Sequence, residues 1–128
     1  MKDTFSNFKA VQAIVPAVKT AAADGDAIDM QGFNSALIVV NAGAVAGDGE
    51  FSIKLQESDT TTSGDFTDVA ADDQHGTAPA VIDANSVVKL GYVGSKRYVR
   101  VAVTKAGGTS IALGAVAILG HAAVSPVA

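Results

Sequence analysis

The sequence predicts an all-β domain: an antiparallel β-sandwich, jelly-roll-like, with about eight strands. Three observations carry that expectation. Apolar residues recur with a period of two along most of the chain. Clusters of Gly, Asp, Asn and Ser break the alternation at short intervals, where hairpins and corners belong. The apolar content is rich in Ala and Val, with few aromatics and no Trp, and β-branched side chains suit a pleated, half-buried surface.

Taken in order, "VQAIVPAV" (11–18) is the first strand, and Pro16 places it at a sheet edge because proline has no ladder donor. Its alanines allow a helical reading of 10–23, but Pro16 and the valines oppose it. "AADGDAIDM" (22–30) reads as a hairpin about Asp24-Gly25, with Ile28 and Met30 on one face and Asp29 on the other. "SALIVVNA" (35–42) is apolar on both faces and is expected to be a central, fully covered strand. "GDGEFSIKLQES" (47–58) opens with Asp48-Gly49; Phe51, Ile53 and Leu55 point inward, and Ser52, Lys54 and Gln56 outward.

Phe66 and Val69 begin a short strand after a polar loop. "SVVKLGYV" (86–93) and "RYVRVAVT" (97–104) follow, the second with Val99, Val101 and Val103 inside and Tyr98, Arg100 and Thr104 outside. "KAGGTS" (105–110) is read as a hairpin turn into "IALGAVAIL" (111–119), where Gly114 marks a bulge or a close backbone approach. The expected core is Phe33, Leu37, Val39, Phe51, Ile53, Leu55, Phe66, Leu90, Val99, Val101, Ile111 and Leu113.

The 128 residues are expected to form a single domain, with extended arms at 1–8 and 122–128 that order on assembly. There is no cysteine, so disulfides and thiolate metal sites are excluded. The N-terminal apolar patch is interrupted by Asp3, Gln12 and Pro16, which argues against a signal peptide. "IALGAVAILG" is shorter than the about 20 apolar residues of a membrane-spanning helix. No membrane partner is expected.

Charge is unevenly distributed. Residues 1–83 hold four Lys against thirteen acids, whereas 84–128 hold Lys89, Lys96, Arg97, Arg100 and Lys105 with no acid. Two readings stay open: neighbouring strands neutralise one another, or the acid-free third supplies a docking surface. The candidate interface on the second reading is Lys96, Arg97, Tyr98, Arg100 and Lys105, with Arg97, Arg100 and Lys105 facing acidic surfaces.

The residues favour no catalysis. In "LQESDTTTSGDFTDV" (55–69), Asp59, Thr61, Ser63 and Gly64 match positions one, three, five and six of a calcium loop. The twelfth position, which needs a bidentate Glu, is Ala70. Asp24, Asp26 and Asp29 do not share one strand face. His75 and His121, each beside a glycine in an expected loop, are too few for zinc. "VGSKR" and "GGTSI" lack the frame of a nucleophile elbow. An enzyme, a metal and a cofactor are therefore not expected. "KRYVR" has the basic and aromatic residues of a nucleic-acid surface, but the acidic remainder would repel phosphates. A groove lined by Tyr92 and Tyr98 would be needed for a carbohydrate-binding sandwich.

Several segments together resemble a family of small virion structural proteins of tailed bacteriophages and prophages. They are Gln31-Gly32-Phe33, Leu55-Gln56-Glu57-Ser58, Phe66-Thr67-Asp68-Val69 and Gly91-Tyr92 with Lys96-Arg97-Tyr98-Val99-Arg100-Val101. The resemblance spans roughly residues 17–120. It implies a capsid decoration (cement) protein on the outer surface of the head, partnered by the major capsid protein and by itself as a homo-oligomer. A trimer is favoured and a pentamer is the alternative. Another virion part, such as a head-spike base, a head–tail connection or a tail protein, is the second reading it implies. No catalytic residue is carried over.

Overall fold

The computed structural model describes residues 7–122. Its strands are β1 (Lys9–Lys19), β2 (Ala23–Asp24), β3 (Ile28–Asp29), β4 (Phe33–Ala46), β5 (Glu50–Ser58), β6 (Thr67–Asp68), β7 (Gln74–His75), β8 (Val87–Tyr92), β9 (Tyr98–Gly107) and β10 (Ser110–Ala122). Short 3-10 turns stand at Ser63–Asp65 and Ala71–Asp73. The arms expected at 1–8 and 122–128 lie outside the described residues except for Asn7, Phe8 and Ala122.

The strands form two antiparallel five-stranded sheets, a sandwich. One runs β1-β10-β4-β8-β7; the other runs β2-β9-β5-β6, with β3 also on β9. The pairing is nested. The first strand pairs with the last, β2 and β3 with β9, β4 with β8, and β5 with β6. A long hairpin rolled up on itself gives this order. Pro16 does sit in an edge strand, β1, whose pairing to β10 slips between Ile14 and Ala17.

Between the sheets lie Ile28, Ile38, Val40, Phe51, Leu55, Leu90, Val99, Val101, Ile111 and Leu119, all essentially inaccessible. Of the expected core, Phe51, Ile53, Leu55, Leu90, Val99, Val101, Ile111 and Leu113 are in place, and Phe33 packs at its margin. Phe66 is buried too, but outside this central cluster. Leu37 and Val39 are corrections. Strand β4 turns Ala36, Ile38, Val40 and Ala42 inward, which leaves Leu37 37% exposed and Val39 half-buried on the outer face. The strand is central in its sheet but covered on one face only.

Two expected hairpins are also absent. Strands β2 and β3 do not pair with each other; both lie along β9, end to end, as one interrupted edge strand. At the break the Gly25 N–H donates to Val101 O at 2.7 Å, and a Cβ on Gly25 would stand 2.5 Å from Ala13 O. A side chain there would collide with backbone on two sides. "KAGGTS" likewise does not fold β9 against β10. The chain changes sheet at this point, and Gly108 takes φ +76 where an added Cβ would collide with the backbone of Asp48 and Gly49.

Those two residues belong to the corner where β4 passes to β5. Gly47 and Asp48 have φ of 58 and 55, and the Gly49 N–H closes the turn on Ala46 O at 3.2 Å. Two sheet-changing corners are thus stacked. In the segment before β8, Ile82 is buried and its N–H donates to Phe51 O at 2.7 Å, covering part of the β5 edge.

Candidate docking face

Four of the five basic residues of the acid-free third, Lys96, Arg97, Arg100 and Lys105, are engaged inside the chain. Arg97 holds Asp29 with two parallel bonds, Nε to Oδ1 at 3.1 Å and Nη2 to Oδ2 at 3.0 Å. Lys96 pairs with Asp59 at 3.1 Å. Lys105 donates to Thr20 O at 2.8 Å and lies over the Phe51 ring. Tyr98 is half-buried, with the Arg97 guanidinium 5.1 Å from its ring centroid.

Arg100 is a correction: it is buried, 8% exposed, rather than facing a partner. Its Nε donates to Gln56 Oε1 at 2.8 Å and its Nη1 to Ser63 Oγ at 2.9 Å, while Asp24 stands 3.5 Å away. Among the described residues, three of the four acids engaged in ion pairs, Asp24, Asp29 and Asp59, each pair with a base of the acid-free third. Strand neighbours neutralise one another, as the first reading of the charge pattern had it.

These pairs set the local acidities. The Arg97 hydrogen bonds, helped by the Gln31 N–H, hold the Asp29 carboxyl below the usual carboxylate range and raise Arg97 in return. Gln56 and then Lys54 lower Asp68.

The Asp/Thr/Ser loop is held by Arg100 through Ser63. Thr60 Oγ1 donates to Asp65 Oδ2 at 2.7 Å, and the Thr60 N–H donates to Ser58 Oγ at 3.0 Å. Its carboxylates therefore diverge: Asp59 to Lys96, Asp65 to Thr60. Among the described residues no three His, Cys, Asp or Glu side chains group as metal ligands. His75 is in β7 and His121 in β10, not in loops.

Tyr92 is fully buried. Its hydroxyl donates to Glu57 Oε1 at 2.7 Å and accepts the Lys96 N–H at 3.1 Å, tying the two sheets at one end. Burial, then the Glu57 bond, pushes the phenol far above its usual range. A sugar platform of Tyr92 and Tyr98 is thereby ruled out.

The two outer faces of the sandwich differ. On the β9–β5 sheet the outward residues include Lys54, Gln56, Arg100, Asp24 and Asp68, joined by the pairs Lys54–Asp68 and Arg100–Asp24. On the other sheet, register places Gln12, Val116, Val39 and Lys89 in one row across β1, β10, β4 and β8. Ala10, Ile118, Leu37 and Gly91 form the next row. Val87 and Val18, at 66% and 65% exposed, extend the apolar surface, and Val116 is 44% exposed.

Where β1 bulges at Pro16 it leans over Gly114, whose added Cβ would stand 2.8 Å from the proline ring. This is the close approach expected at Gly114. Beside it opens a mostly apolar groove of about 690 Å³, lined by Pro16, Val18, Val39, Val87, Ala112 and Val116 among others. Sequence reasoning missed this face. The signal for it was Ser35 and Asn41, which share a phase with Leu37 and Val39 and mark that side of β4 as the outer one.

No family model matches the chain, and no curated protein sequence matches it. Among solved structures it is similar to the SPBc2 prophage-derived protein YomS, with TM-score 0.49, 12% identity and coverage of 88% of this chain and 92% of that one. It is also similar to a chain from Bacillus endospore appendages, described as a family of disulfide-linked pili, with TM-score 0.47, 17% identity and coverage of 91% of each chain. The functional reading rests on neither likeness.

Proposed function

We propose that the chain is a structural component of a bacteriophage particle, a cement-type protein bound on the outer surface of the head, with a jelly-roll fold. The carrying observation is the contrast between its two faces. One sheet closes its charges into internal pairs, while the other keeps a nearly uncharged face of Leu, Ile and Val in contact with solvent. A surface of that kind suits a protein–protein contact. Residue resemblance to virion structural proteins points the same way, and the nested strand order supports the jelly-roll reading. The partners on this reading are the major capsid protein and further copies of the chain. Many weak contacts repeated over a shell suffice to hold such a protein, because their effect is counted collectively.

The test is a particle made without this protein. Its heads should open at lower temperature than complete ones, and adding the purified protein back should restore them. Heads of unchanged stability together with defective tails would overturn the cement reading in favour of a tail role.

A further inference from the structure

We infer that the apolar face of the β1-β10-β4-β8 sheet is occupied by the same face of a second copy, related by a two-fold axis that runs along the strands between β10 and β4. This deepens the assembly reading and rests on it for its purpose. The geometry stands on the row Gln12, Val116, Val39, Lys89. A two-fold along the strands exchanges β1 with β8 and β10 with β4 but keeps each row. Val116 of one copy then meets Val39 of the other, and Ile118 meets Leu37. Lys89, the one charge in these two rows, meets the neutral Gln12 amide of the second copy, which accepts from an ammonium. A two-fold across the strands through this row would instead set Lys89 against Lys89. An isologous contact of this kind closes on itself.

Area supports the same occupant. About eight residues each of β1, β10 and β4 and the six of β8, rising about 3.3 Å each in strands about 4.8 Å apart, present about 480 Å². Two copies bury about 1,000 Å², the level a specific interface has to reach. The unit is then a dimer, in place of the trimer favoured from the family resemblance.

Sedimentation equilibrium of the purified full chain tests this. A concentration-dependent dimer is expected, and Val116→Asp should weaken it at least a hundredfold while the circular dichroism spectrum stays that of the folded chain. Should that variant fail to fold, Gln12→Lys provides the reading. It is exposed in the monomer and sets a cation against Lys89 of the second copy, so dimerisation should weaken about tenfold at low salt. Adding Lys89→Glu to Gln12→Lys should restore it. Within one copy these positions are about 14 Å apart, three strand spacings, so rescue requires a second copy. A chain that stays monomeric at all concentrations, or a dimer indifferent to both charge variants, overturns the inference. A monomer that still binds phage heads would remove the dimer and leave the cement reading standing. A dimer absent from particles would do the reverse.

Discussion

The guanidinium of Arg100 lies 4.3 Å above the ring centroid of Phe66, on the outer side of the β9–β5 sheet. This stacking buries both residues and anchors the 58–66 loop, whose Ser63 hydroxyl and carbonyl accept from the same guanidinium. Arg100 is a keystone of its own sheet surface, with Nε, Nη1 and Nη2 each donating inside the chain.

Replacing Arg100 should therefore act on stability. Arg100→Glu sets a carboxylate beside Asp24 over an apolar ring, and a loss of about 2–4 kcal/mol is expected in chemical denaturation. Arg100→Lys should recover only part of this, since an ammonium cannot span Gln56 and Ser63 as a fork does. A fully stable Arg100→Glu protein would contradict this role.

Tyr92→Phe tests the tie between the sheets. It removes the donor to Glu57 and the acceptor of the Lys96 N–H while keeping the ring. A loss of about 1–2 kcal/mol is expected. A neutral outcome would mean that water replaces the hydroxyl without cost.

Gly25 and Gly64 form a matched pair of glycines. Gly25→Ala drives a Cβ onto the backbone oxygens of Ala13 and Val101, whereas Gly64→Ala enters open space. The first should cost about 1–3 kcal/mol and the second stay within about 0.5 kcal/mol of the parent. Equal effects would show that the close approach at Gly25 relaxes freely.

Acid should weaken the fold through Asp29 and Asp68. Both carboxyls are lowered in the folded chain, Asp29 chiefly by Arg97 and Asp68 chiefly by Gln56. Their contribution is therefore present above the unfolded value, about pH 4, and is lost as pH falls through the lowered folded values. Thermal melts between about pH 2 and pH 7 should show this decline. In Asp29→Asn the decline should be shallower. An identical acid profile for that variant would remove Asp29 from the account.

How much of this was legible in the sequence varied with the kind of signal. Strands with clean polar–apolar alternation, such as β5 and β9, were assigned with the right face inward. The difference at β4 has a physical cause: a strand apolar on both faces carries almost no phase, so its sequence does not distinguish Leu37 and Val39 from the buried Ile38 and Val40. The hairpins expected at Asp24-Gly25 and "KAGGTS" failed for another reason. Glycine marks a change of direction but not whether the chain returns to its own sheet or crosses to the other. Arg100 and Tyr98 were read correctly as sharing an outward face. That Lys96, Arg97 and Arg100 pair inside the chain depends on which strands become neighbours, which charge counts along the chain do not contain. The apolar face became visible only once register put four strands side by side.

The central claim is that this chain is a stoichiometric part of a phage head. Cryo-electron microscopy of the particle it comes from tests this most directly. The account predicts sandwich-shaped density repeated over the outer capsid surface, in a fixed ratio to the coat protein. A particle whose head carries no such density, or that holds the chain only as a few copies in the tail, would contradict it.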